Sequence, residues 1–237
     1  SSRGYAVGVA GSKAVSLAAV GGLARNETSN VIDATLSNSQ INTSPADSQN
    51  PAADTEGTIQ IEAMATGSFD TQVVGAVLAL AGNFAGAVGV SRALNIKEDE
   101  VRARVTGSDI RAKRALGVLT RDNTKLTSRA YAAAVSGSLT GAISGGGAEA
   151  VNTERSTVET KVDEGATLSA GDRITLQAER DTTFHADVAS VAVAGGLYGA
   201  SVGVSVLRNT DESNTLVTLD NAELTAGSGG VAIQARA

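Results

Sequence analysis

The residues best placed to do chemistry are carboxylates that follow four regularly spaced asparagines. Asn26, Asn95, Asn152 and Asn209 stand in "ARNETSN", "LNIKEDE", "VNTERST" and "LRNTDESN", at separations of 69, 57 and 57 residues. Glu27, Glu98, Glu154 and Asp211 lie one to three residues beyond them. If these four segments stack, their carboxylates form an acidic column. Oxygen donors of this kind suit a hard cation such as calcium, which takes several oxygens at about 2.4 Å. Two features oppose that use. Arg25, Lys97, Arg155 and Arg208 sit beside the carboxylates and neutralise them. The glycine-and-aspartate nonapeptide of calcium-binding β-rolls is also absent. A solvated, charge-balanced edge is the expectation, and a calcium site its alternative.

A second group of carboxylates, Asp47, Asp54 and Glu56, lies in the one stretch that breaks the regularity. Both prolines of the chain, Pro45 and Pro51, are there too. A polar, proline-bearing insertion reads as a surface loop, and these three residues are the candidates for recognition. A sugar-cleaving enzyme would need clustered carboxylates in a groove; the other acidic residues fall mostly at turns. His185 is the only histidine, and without a nucleophile-elbow serine it makes no triad. No catalytic residue is expected. "NET" at Asn26 and "NTS" at Asn42 match the glycosylation acceptor pattern, which arises often by chance.

The elements that would position these residues emerge from the repeat. Ten residues after each asparagine stand Leu36, Val105, Val162 and Leu219. Two residues earlier are Ala34, Ala103, Thr160 and Val217; two before those, Ile32, Val101, Val158 and Thr215. A spacing of two is a strand signature, because alternate side chains share a face. Further apolar columns follow at Ile41, Ile110, Leu168 and Leu224, then at Ile59, Leu116, Ile174 and Val231. The chain divides into units of about 1–69, 70–126, 127–184 and 185–237, the first enlarged by the insertion at 43–56.

Each unit also carries a tract of small residues, such as "YAVGVAGSKAVSLAAVGG" from Tyr5. Val73–Ser91 runs without a formal charge and is long enough to suggest a membrane span. Its glycines weaken it as a helix, and related tracts recur in every unit. Buried, glycine-rich strands explain them together, with no membrane insertion. The chain has 27 glycines, no cysteine and 3% aromatic residues, so its core must be thin and closely approached. A net charge of −6 argues against a nucleic-acid partner.

Short strands and polar turns at this period define an all-β protein, a parallel β-solenoid of four imperfect repeats of about 57 residues. Two or three rungs per unit are both compatible with the spacing. Each asparagine is expected at a corner, where its side chain tolerates left-handed geometry, and the four would form an amide ladder. Segments such as "ATLSAGDRITLQAE" and "AELTAGSGGVAIQARA", with the glycine-rich Val191–Asn209, resemble repeats of large secreted bacterial adhesins, the filamentous haemagglutinin-like and leukotoxin-like exoproteins. That resemblance implies a right-handed solenoid at the bacterial cell surface or outside the cell. It implies a stalk or adhesive segment that contacts a glycan, a host surface or a neighbouring cell, stacked on adjacent repeats of its parent protein. The alternatives are a carbohydrate-active or carbohydrate-binding β-helix and a self-associating biofilm matrix protein, since open terminal rungs invite strand addition.

Overall fold

The computed structural model describes residues 1–42 and 57–237. It is a parallel β-solenoid built from four sheets. The first sheet joins β1 (Ser2–Ser12), β5 (Ile59–Ala81), β9 (Ala115–Ser138), β13 (Arg173–Gly195) and β17 (Gly230–Arg236). The second stacks β2 (Val15–Thr28), β6 (Phe84–Lys97), β10 (Gly141–Glu154) and β14 (Tyr198–Asp211). The third holds β3 (Val31–Ser37), β7 (Glu100–Thr106), β11 (Thr157–Asp163) and β15 (Asn214–Leu219). The fourth holds β4 (Gln40–Asn42), β8 (Asp109–Ala112), β12 (Thr167–Ala170) and β16 (Glu223–Ala226).

One repeat is one turn. Asn26 pairs with Asn95, Asn95 with Asn152 and Asn152 with Asn209, each in the same register position of neighbouring strands. The two or three rungs per unit compatible with the spacing give way to one. The reason is the small-residue tract, which forms a strand of eleven residues such as β1, a tight turn and a returning strand of fourteen. That excursion takes nearly half of each unit. Four layers at the inter-strand spacing stand only about 19 Å high.

Each turn encloses two different interiors. In the first, the leading halves of β5, β9 and β13 face the third and fourth sheets to make a three-walled compartment. Its core is branched and large: Val101, Val105, Ile110, Leu116, Val162, Leu168 and Ile174. The columns read from spacing meet here, with Ile41, Ile110, Leu168 and Leu224 aligned across the fourth sheet. In the second, the trailing halves of the same long strands lie flat on β2, β6, β10 and β14. This two-layered wing is filled by alanine and a little valine, including Ala85, Ala87, Ala93, Ala132, Ala134 and Ala150. Its inward glycines, such as Gly89 and Gly146, are demanded by the close approach of the layers. A Cβ on Gly89 would lie 2.9 Å from the Ala133 carbonyl oxygen, and one on Gly146 3.0 Å from that of Val191.

The asparagines are not corners. All four lie within strands of the second sheet, and their side-chain amides bond to one another. The left-handed corner is a different column, Asn38, Gly107, Glu164 and Asn221, with φ of 47, 56, 55 and 48°. Asn and Gly adopt that region at little cost. Backbone bonds stack the corner from turn to turn, with the Asn38 amide donating to the Thr106 carbonyl and the Gly107 amide to that of Asp163.

Candidate functional site

The densest polar chemistry lies in the neck between compartment and wing. Small residues bring the two layers together here, and buried amides and ions bond across them. The asparagine amides form a continuous ladder. Asn26 Nδ2 donates to Asn95 Oδ1 at 3.2 Å, Asn95 to Asn152 at 2.9 Å, and Asn152 to Asn209 at 2.9 Å. The second hydrogen of each amide crosses to the facing sheet, to the carbonyls of Asp70, Thr127 and His185. Asn95 and Asn152 are fully buried, so these bonds satisfy groups that have no water. Asn26, a formal glycosylation match, has its amide engaged in the ladder.

Two residues further along the strands runs a chain of ions, buried at Lys97, Asp122 and Glu154 and open to solvent at Asp211. Lys97 donates to Asp122, to Glu154 at 3.0 Å and to the Ser156 hydroxyl at 3.0 Å. Asp99 stands 3.6 Å from the same ammonium. Glu154 is met from the next turn by Arg180 at 3.3 Å, and Arg180 reaches Asp211 at 2.8 Å. The Thr124 hydroxyl donates to Asp122. The order Asp122, Lys97, Glu154, Arg180, Asp211 alternates in sign and climbs through successive turns.

Electrostatics favours the charged form at Lys97 and Asp211. Burial disfavours the Lys97 ammonium, but the Asp122 hydrogen bond, the Asp122 charge and the nearby Glu154 outweigh it, so its pKa is raised above 10.5. Burial likewise opposes the charge on Asp211, yet hydrogen bonds from Ser213 and Arg180 hold its pKa below 3.8. An amine held protonated by two carboxylates is neither a nucleophile nor a base near neutrality. The arrangement does structural work, since each turn supplies the countercharge of the next.

The four carboxylates that follow the asparagines do not form one column. Glu154 and Asp211 share a register position, but it continues to Lys97 and Thr28. Glu27 is exposed and pairs with Arg25 at 2.7 Å. Glu98 lies at a turn, where Arg155 bridges it at 3.1 Å and Glu212 at 2.8 Å. The offset between asparagine and carboxylate varies from one to three residues, and in a strand an odd offset changes the face. Among the described residues no group of three or more His, Cys, Asp or Glu is disposed to hold a metal ion. Asp47, Asp54 and Glu56 lie outside the described residues. The insertion's flanks sit where β4 ends and β5 begins, and the Arg114 amide of the next turn donates to the Gly57 carbonyl at 2.9 Å. His185 is half exposed and 3.2 Å from Asp187.

The ion chain escaped the sequence reading, though a signal for it exists. Lys97, Glu154 and Asp211 recur at the repeat period, as do Asp122 and Arg180. Charges of opposite sign in one inward column mark a buried ladder. Comparisons with known protein families, with characterised proteins and with solved structures return no match for this chain.

Proposed function

We propose that the chain is a non-catalytic structural and adhesive segment, a stalk or surface-contact region, of a large secreted or surface-anchored bacterial adhesin. The observation that carries this reading is the stacking of inward columns through successive turns, the asparagine ladder included. A turn whose polar groups are satisfied only by its neighbours is stable only in an array, and such an array is a stiff spacer. The alternating ions act as the register device of that spacer. Residues that break the period are where recognition belongs on a regular body, which points to the insertion at 43–56 and to a glycan, a host surface or a neighbouring cell as partner.

The test is a glycan-array and cell-binding screen of the chain, with and without calcium, alongside a form lacking residues 43–56. Binding lost with the loop makes it the contact. No binding in any arm places adhesion elsewhere in the parent and leaves a passive stalk. Turnover of a polysaccharide, abolished by alanine at Asp47, Asp54 and Glu56, would overturn the non-catalytic reading in favour of a carbohydrate-active β-helix.

A further inference from the structure

The wing is apolar on its outside as well as its inside, and the larger side chains are on the outside. The buried hydroxyls of Ser16, Ser91 and Ser128 have no partner among the described residues, while Leu17 is 70%, Val88 49% and Val202 65% exposed on the outer face of β2, β6, β10 and β14. Val73–Ser91 and Ala130–Ala148 contain no Asp, Glu, Lys, Arg or His. An outer face of this kind marks an interaction surface.

Its relief identifies the partner. Across the four strands, one row reads Ala19, Val88, Gly145, Val202 and the next Gly21, Val90, Gly147, Val204. Small and large alternate from turn to turn, so valine ridges on β6 and β14 flank a furrow on β10. The furrow's glycines have no internal reason. A Cβ on Gly145 or Gly147 would meet only valine methyls at 3.8 Å, an ordinary contact, and neither glycine has positive φ. Outward glycine in a strand marks close approach by another body.

We propose that this face pairs with the same face of a second copy of the chain, about a two-fold axis parallel to the strands. That rotation reverses the order of the turns and keeps the rows in register. Small–large–small–large then meets large–small–large–small. Val88 enters the partner copy's furrow at Gly145, Val90 enters at Gly147, and Val202 and Val204 cover Ala19 and Gly21. The neighbouring row, Leu17, Gly86, Ile143, Ala200, has the opposite phase and is complementary under the same rotation. At the base of the wing the row carries Arg92 and Glu149, an ion pair at 2.6 Å. The two-fold lays each over its opposite in the second copy. Self-complementarity of one patch is what an isologous dimer requires. Lipid tails conform to any apolar surface and give no reason for ridge and furrow to alternate.

The face measures roughly 27 by 19 Å, so a pair buries about 1,000 Å² in total. That is the lower end of specific interfaces and fits a reversible dimer. The pairing is independent of the adhesive reading, since it concerns how two solenoids lie side by side.

Sedimentation equilibrium of the 237-residue chain, at concentrations up to about 1 mM, tests it. The expected result is a monomer–dimer equilibrium that stops at two. Gly147→Val sets valine against the second copy's Val90 and weakens the dimer at least tenfold, with an unchanged circular dichroism spectrum. Adding Val90→Gly exchanges ridge for furrow and restores pairing. Arg92→Glu, at a site 52% exposed, gives an independent reading: weaker pairing, recovered by Glu149→Arg. A wild-type chain that stays monomeric overturns the proposal, as does a dimer indifferent to both single variants. Open-ended growth that ignores Gly147→Val would assign association to the strand edges, and binding to phosphatidylcholine vesicles without dimerisation would assign the face to lipid.

Discussion

The compartment and the wing share one chain, one period and one set of long strands, yet solve burial in opposite ways. In the compartment three walls stand apart and the space is filled by Leu, Ile and Val, with Val105, Ile110, Leu168 and Ile174 at zero exposure. In the wing two layers approach until alanine and glycine suffice. The first is stabilised by volume and the second by closeness. The difference teaches that side-chain size along one strand decides where a turn is wide and where it is flat. It also predicts that the two regions fail under opposite substitutions.

The neck belongs to both regions and should show the largest effect. Lys97→Met removes the cation shared by Asp122 and Glu154, both at most 1% exposed, which strands Asp122 and leaves Arg180 as the countercharge of Glu154. A loss of about 3–5 kcal/mol is expected from denaturant midpoints. Combining it with Asp122→Asn and Glu154→Gln should recover much of that loss, because the two carboxylates nearest the lost ammonium no longer carry charge, while Asp99 keeps its hydrogen bonds from Asn30. A triple variant as unstable as the single one would mean that the aliphatic stem of Lys97, and not its charge, holds the neck.

Within the compartment the effect of lost volume should follow position along the stack. Leu168→Ala, in a fully buried site with turns on both sides, is expected to cost about 2–5 kcal/mol. Leu219 occupies the inward column of the third sheet on the last turn and is 41% exposed. Even Leu219→Asp should therefore be milder than the same change at Val162. Equal losses at the two sites would show that turns do not contribute as near-neighbours.

The wing inverts the rule, since there added volume does the damage. Gly146→Val drives a branched side chain into the Val191 carbonyl and is expected to cost about 1–3 kcal/mol or more. Gly145→Val, one residue away on the opposite face, meets only a Val88 methyl at 3.8 Å and should be neutral or slightly stabilising, because valine suits a strand better than glycine. Thermal midpoints of the two variants suffice. Similar values would collapse the distinction between an inner face set by closeness and an outer face set by a partner.

How much of this was legible depended on the type of interior. The compartment was readable because its large apolar residues recur at the repeat period in the same register: the columns at Leu36, Ile41 and Ile59 align in the structure residue for residue. The amide ladder was readable because one residue type recurs in one register. Its placement at corners was not, because asparagine favours both turns and ladders. The true corner mixes Asn, Gly and Glu, so no single letter betrays it. The wing hid its geometry in alanine and glycine, whose alternation says little about which side is buried, and with it hid the one-turn repeat. The ion chain was least visible: its partners lie on facing strands, 25 residues apart for Lys97 and Asp122 and 26 for Glu154 and Arg180.

The smallest effect expected is a pH dependence confined to one side of the comparison. Asp211 has a depressed pKa, so its contribution is present above 3.8, the ordinary value, and is lost as pH falls through the lower folded value. Asp163, held by Lys161 and Thr106 at the third sheet, behaves alike. Lys97 is raised, so its contribution is complete below 10.5 and is lost only as pH climbs through the folded value above that. Stability should therefore be flat across neutrality and fall off below about pH 4. Asp211→Asn should remove part of the acid limb and leave the rest in place. Amide exchange followed by segment locates the change. Acid should weaken protection first around Glu154, Arg180 and Asp211, and last in Ala130–Ala148, whose residues carry nothing that titrates in that range. Earlier loss of protection in the wing would mean that the neck does not hold the two interiors together.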